Sequence, residues 1–242
     1  MKLFLAGAGW QDTWMELNYY DFNRLHTFFH INEKEAKVLH QYNNFLLDSG
    51  AFSMFGGVKV DIKKYVNDYI DFINKYDVRY FFELDIYKLI GIKKTEDIRD
   101  LIEKKTKKKC IPVFHIFLGI DYYKMLCDKY NYIAIGASGQ HGTRWTRNQP
   151  DKLKKLVQYA NKKNVRVHGL GYTSQKGLLD IPFYSVDSTS WLSGNRFGGV
   201  YNFKNKKMEK FVKPEGKRIK TRETCRHNFF EWVKYGKYLN TI

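Results

Sequence analysis

Short apolar runs that end in glycine, serine or a carboxylate recur along the chain, and stretches with a 3.6-residue apolar period lie between them. Leu3-Phe-Leu-Ala-Gly-Ala-Gly9 reads as a first strand, and Phe45 to Leu47, ending at Asp48-Ser49-Gly50, as a second. Arg79 to Ile86 forms a third, Cys110 to Ile116 a fourth and Tyr132 to Ser138 a fifth. Val165 to Gly171 gives a sixth and Phe183 to Val186 a seventh. Between them, Asp61 caps a helix through Tyr76 that carries Ile62, Tyr65, Val66, Tyr69 and Ile73 on one face. Further helices are expected at Glu33–Tyr42, Thr95–Lys107, Tyr122–Tyr130 and from Pro150, a first-turn proline, to Lys163. Residues 10–30 are aromatic-rich and fit no single period.

Strand, loop and helix in short alternation argue for parallel strands with crossover helices. With Gly199 to Phe203 as an eighth strand, the pattern predicts a compact α/β fold, a (β/α)8 TIM-type barrel, over residues 1–203. The doubly wound open sheet is the alternative. The barrel is favoured because polar or glycine residues close nearly every strand, as if all the ends met at one mouth. Residues 204–242 read as a basic hairpin or arm, then a terminal helix from Thr221 to Tyr238, packed on the barrel.

Composition narrows the classes. A hydrophobic share of 43% in 242 residues supports a folded core. The chain has no apolar run of membrane-spanning length, and its apolar start is too short for a signal peptide, so a cytoplasmic protein is expected, in the host cytoplasm if phage-encoded. Cys110, Cys127 and Cys225 lie far apart, so reduced thiols are expected and no metal. A net charge of +17 suits a polyanionic partner, although a lysine-rich proteome would give the same surplus.

Asp48 and Asp187 each stand at the carboxyl end of an expected strand, where α/β folds place their chemistry, and Asp85 is a third candidate. Two such carboxylates can divide the labour of glycosyl transfer, one attacking an anomeric carbon and the other moving protons. The structural alternative for each is a helix cap or a loop hydrogen bond.

Asp48-Ser-Gly-Ala-Phe52 resembles the Asp-Ser-Gly-Gly-Phe/Tyr motif of the tRNA-guanine transglycosylases and their DNA-modifying relatives. The likeness continues in order through Glu83-Leu-Asp85, Ile135-Gly-Ala-Ser-Gly139, His168-Gly-Leu-Gly171 and Val186-Asp187-Ser188. It covers roughly residues 44–198. The resemblance implies a TIM barrel that exchanges guanine for a 7-deazaguanine base, such as a preQ0-type compound, without a cofactor. It implies Asp187 as the nucleophile on C1′ and Asp48 as the general acid/base. Asp85 would bond the base edge, with Ser49, Gly136, Ala137 and Gly169 beside it. Phe52 and His168 would sandwich the ring, and His115 stands where the family tends to place a base-contacting glutamine, with a satisfied core or loop histidine as the other reading for both His115 and His168. Just after Asp187, Trp191 and Arg196 could meet the strand or flanking bases or equally be packing and surface residues. The interleaved basic and aromatic residues of the arm suggest that Lys217, Arg218, Lys220 and Arg222 contact phosphates, with a solvated hairpin or linker as the other reading.

The chain departs from the tRNA enzymes in lacking their clustered zinc ligands and extra domains, and in carrying Ala51 and Ser53 inside the motif. Those departures point to the small phage-type or mobile-element relatives, and to DNA as the favoured nucleic acid over tRNA. The same exchange on tRNA, a barrel glycosidase and a non-catalytic basic nucleic-acid-binding barrel are the competing expectations.

Overall fold

A computed structural model describes residues 1–7, 9–55, 60–136, 145–146, 148–214 and 216–242, with residues 195 and 196 described by backbone alone. Seven parallel strands form one curled sheet: β1 (Lys2–Leu5), β2 (Asn23–Thr27), β3 (Asn44–Asp48), β4 (Val113–Phe114), β5 (Tyr132–Gly136), β6 (Arg166–Leu170) and β7 (Ser185–Ser188). Their order is β3-β2-β1-β7-β6-β5-β4. The two edges, β3 and β4, approach each other through residues 80–83. Leu47 makes a parallel bridge to Phe81, and Phe82 makes one to Ile111. Glu83 fastens this short segment, taking hydrogen bonds from the Val113 backbone N–H and the Arg99 guanidinium.

The period-2 rule divides each strand between two cores. Phe4, Leu25, Leu46, Phe82, Val113, Tyr132 and Ala134 fill the inside of the curl. Their neighbours Leu3, Leu5, Leu47, Phe81, Phe114, Ile133 and Ile135 face the surrounding helices. Helices Ile62–Lys75, Ile92–Thr106, Ile120–Lys129 and Pro150–Lys162 form that outer layer. The expected Asp61 cap is present, its Oδ1 accepting from the Lys64 N–H at 3.1 Å, and Pro150 opens its helix.

Two expectations about strands are corrected. Gly199–Lys204 is not the eighth strand of the parallel sheet. It pairs antiparallel with Lys207–Val212 as a separate hairpin, because the two-residue turn at Asn205-Lys206, both with positive φ, folds the chain straight back. The stretch 10–30, left without an element, holds β2. Its outward side chains, Arg24 and His26, are fully buried among the helices rather than apolar. Arg24 pairs with Glu35 at 2.7 Å and donates to the Leu5 and Gly7 carbonyls at 3.0 and 2.7 Å.

The terminal helix Thr221–Leu239 packs beside β1 and the hairpin. Phe229 stacks on Trp14 at 5.2 Å, and Trp191 meets both rings edge-on.

Candidate functional site

Inward parity carries chemistry to the carboxyl ends of the strands. Asp48 follows inward Leu46 by two residues, His115 follows Val113, and Gly136 follows Ala134. The registers place Asp48 beside Thr27 of β2 and Asp187 beside Phe4 of β1. Asp48, Asp85 and Asp187 thus converge from three positions of the curled sheet on one mouth. They lie close enough that the charges of Asp187 and Asp85 both act on the Asp48 carboxyl.

Asp48 is partly covered, and one carboxylate oxygen accepts from the Gly50 N–H at 2.8 Å. Gly50 has φ +82°, and a Cβ there would lie 2.6 Å from the Tyr65 hydroxyl, so the tight turn that turns this N–H back requires glycine. Burial pushes the Asp48 carboxyl above its ordinary range, with the neighbouring carboxylates adding to the rise. The Gly50 N–H and the Thr27 hydroxyl oppose it.

Asp187 is clamped on one oxygen. Oδ1 accepts from the Gly171 N–H at 2.6 Å and lies 3.2 Å from His168 Nε2. His168 Nδ1 lies 2.7 Å from Ser185 Oγ, which is 2.6 Å from the Tyr132 hydroxyl. Each donor finds one acceptor if Tyr132 donates to Ser185, Ser185 to Nδ1 and Nε2–H to Asp187. Among the described residues, Oδ2 takes no hydrogen bond, and the side chain is about 10% exposed. Oδ2 is therefore the oxygen left open to a further contact.

His168 is corrected as a base-stacking residue. It is fully buried between the rings of Phe4 and Phe82, at 6.1 and 5.2 Å, so neither ring face is open to a ligand. Gly169 points the other way. A Cβ there would meet Phe183 and Tyr172 in the outer layer at 3.1 Å, so its small size serves packing. Trp191 is also corrected. It is fully buried, donates to the Ala6 carbonyl at 2.8 Å and cannot reach a strand outside.

Phe52, in the short helix Ala51–Phe55, is 74% exposed and presents its ring beside Asp48 in sequence. Ser49 is buried, and its carbonyl accepts from the Tyr65 hydroxyl at 2.7 Å. Asp85 binds His115 Nε2 at 2.8 Å. Gly136 makes room for that ring, since a Cβ would lie 2.8 Å from it. Ala137 lies outside the described residues, as does the Arg196 side chain, whose backbone belongs to the helix Ser193–Phe197.

In the basic arm, Lys217 and Arg218 are exposed. Lys220 pairs with Glu223 at 3.1 Å. Arg222 pairs through Nη2 with Asp12 and Glu16 at 3.1 and 2.8 Å, which ties the arm to the body while the side chain stays 66% exposed.

Sequence reasoning missed Thr27, Gly171, Ser185 and Tyr132. Parity was the available signal for Ser185, which precedes Asp187 by two residues. The Gly171 contact depends on its positive φ of 63° and on the strand order. Among the described residues, no group of three or more His, Cys, Asp or Glu could hold a metal ion. No helix of the described residues is long and apolar enough to cross a membrane. No family model matches the sequence, and no curated protein matches it.

Proposed function

We propose that the protein is a transglycosylase that replaces guanine in DNA by a 7-deazaguanine base through a covalent aspartyl-glycosyl intermediate. The observation that carries this reading is the convergence of Asp48, Asp85 and Asp187 on one mouth, with Asp187 held by one oxygen and free at the other. The reading takes the curled sheet as an eight-position (β/α) barrel in which residues 80–83 hold the place between β3 and β4.

In the first half-reaction Asp187 Oδ2 attacks C1′ and forms a C–O bond. The C1′–N9 bond breaks, its electron pair passes to the departing guanine, and Asp48 supplies a proton to the base. In the second half, the Asp48 carboxylate takes a proton from the incoming deazaguanine as its N9 displaces Asp187 from C1′. Two displacements at one carbon return the original configuration. Asp85 and Phe52 supply an edge contact and a stacking face for a base turned out of its strand.

The test is incubation with labelled deazaguanine and, in parallel, duplex DNA, unpaired DNA and tRNA. Label is expected in DNA. Label in tRNA alone would refute the DNA assignment, and label in none would leave a hydrolase or a binding barrel.

Two further outcomes are expected. Because Asp48 is raised above the ordinary carboxylate range, its protonated form persists to higher pH. The single-turnover rate of adduct formation should therefore fall as pH rises through that raised value, and Asp48→Asn should abolish this limb of the profile along with most of the rate. His168 does not touch substrate and acts by positioning Asp187. His168→Ala should lower kcat on the order of a hundredfold with KM nearly unchanged, while His168→Gln, which can still donate to Oδ1, should recover part of the loss. Equal kcat for all three proteins would remove the clamp from the mechanism.

A further inference from the structure

A strip of rings leads away from the carboxylate mouth. His115, bonded to Asp85 at 2.8 Å, is 4.6 Å from the Tyr87 ring and nearly parallel to Phe117 at 5.7 Å. Tyr87 lies 5.1 Å from Phe117 and 6.3 Å from Phe55. The Lys88 ammonium sits over Phe55 and Tyr87 at 5.2 and 5.9 Å. Three adjacent sheet positions contribute these residues, since Phe55 follows β3, Tyr87 follows the 80–83 segment and Phe117 follows β4. Phe117 is 57% exposed, and Phe52, in the same short helix as Phe55, is 74% exposed. Large rings left in water at the rim of a site mark an interaction surface.

We propose that this strip is a stacking platform for unpaired DNA bases next to the target nucleotide, so that the enzyme takes its substrate as an opened or single strand. The proposal rests on the base-exchange reading for what occupies the mouth. Flat π-faces accept any base, and a lysine poised over the rings offers a counter-charge to the backbone that carries those bases. The net charge of +17 favours a polyanion over an apolar protein segment on this surface. A flanking base stacked on Tyr87 or Phe117 would compensate for the neighbour it loses when the target base is turned out. Duplex DNA keeps its bases stacked on each other and gives the strip nothing to hold.

The test is fluorescence anisotropy with labelled unpaired and fully paired DNA of one sequence, using wild type, Phe117→Ala and Lys88→Ala across a range of salt. Wild type should bind the unpaired strand more tightly. Phe117→Ala, at an exposed position that leaves the circular dichroism unchanged, should weaken that binding roughly tenfold and leave the paired affinity alone. Lys88→Ala should flatten the plot of log affinity against log salt by about 0.7. Undiminished affinity of Phe117→Ala for unpaired DNA overturns the proposal. So does loss of a dimer in that variant by sedimentation, which would assign the strip to a second copy of the chain. Label incorporation, run in parallel, separates the two readings. Phe117-dependent binding without incorporation keeps the strip and ends base exchange, whereas incorporation with Phe117-independent binding does the reverse.

Discussion

Asp187→Asn is expected to eliminate the covalent adduct and to reduce base exchange on the order of 10⁵- to 10⁶-fold, the scale on which loss of a nucleophile is felt. Asparagine keeps an oxygen that can accept from the Gly171 N–H and can be oriented by His168. The fold and the clamp should therefore persist, while the second oxygen is replaced by an amide nitrogen with no charge to offer C1′. Denaturing electrophoresis of protein incubated with labelled nucleic acid reads the adduct directly, and a thermal melt checks the fold. An adduct of undiminished yield in Asp187→Asn would move the attack to another carboxylate, with Asp48 the first to examine.

The second large effect is on stability. Arg24→Met should cost about 3–5 kcal/mol, the usual consequence of leaving one member of a buried ion pair alone. Glu35 is fully buried; its Oε1 is paired with Arg24 at 2.7 Å, with Tyr42 at 3.4 Å, and its Oε2 lies 3.2 Å from His26 Nε2. Burial holds that imidazole neutral, so Arg24 is the cation that balances the charge. The same substitution removes the guanidinium's hydrogen bonds to the Leu5 and Gly7 carbonyls. For a chain of this length the melting temperature should fall on the order of 10 °C. Arg24→Met combined with Glu35→Leu removes the stranded charge and should regain part of the loss, though not all, because the hydrogen bonds from Arg24 to the two carbonyls are not replaced. A single variant that melts within about 2 °C of wild type would show that water reaches the pair and that it contributes little.

That pair also explains where the sequence misled. A strand whose outward residues are Arg24 and His26 has no apolar alternation, so β2 could not be read from periodicity. Its partner Glu35 lies in a different element and reveals itself only once the chain is folded. Residues 80–83 were legible as a strand because Tyr80, Phe81 and Phe82 are aromatic, but nothing local announced that only isolated bridges would hold them. The opposite error occurred at Gly199–Phe203, where a β-rich composition was assigned to the sheet. Strand propensity does not specify a partner, and a two-residue turn supplied a nearer one.

The candidate site shows the same division. Asp48 and Asp187 were legible because apolar runs break at them, whereas the inward face they share with Leu46 and Ser185 was fixed only by the fold, since Leu46 and Leu47 are equally apolar. Trp191 stayed open between a strand contact and packing because an aromatic reads alike whether it faces solvent or a partner. It is buried against Trp14 and Phe229.

The sequence by itself determined the alternation of strands and helices and the ends at which the polar residues, the two aspartates among them, gather. These follow from backbone geometry that repeats every two or 3.6 residues and needs no distant information. The tertiary structure alone decided that β7 lies beside β1, three positions from β3, and so brings Asp187 toward Asp48. It also turned His168 from a ring for the base into the group that holds Asp187, because full burial beside Phe4 and Phe82 leaves no ring face open. Such roles depend on which groups meet across the sheet, and that is settled only when the strands take their order.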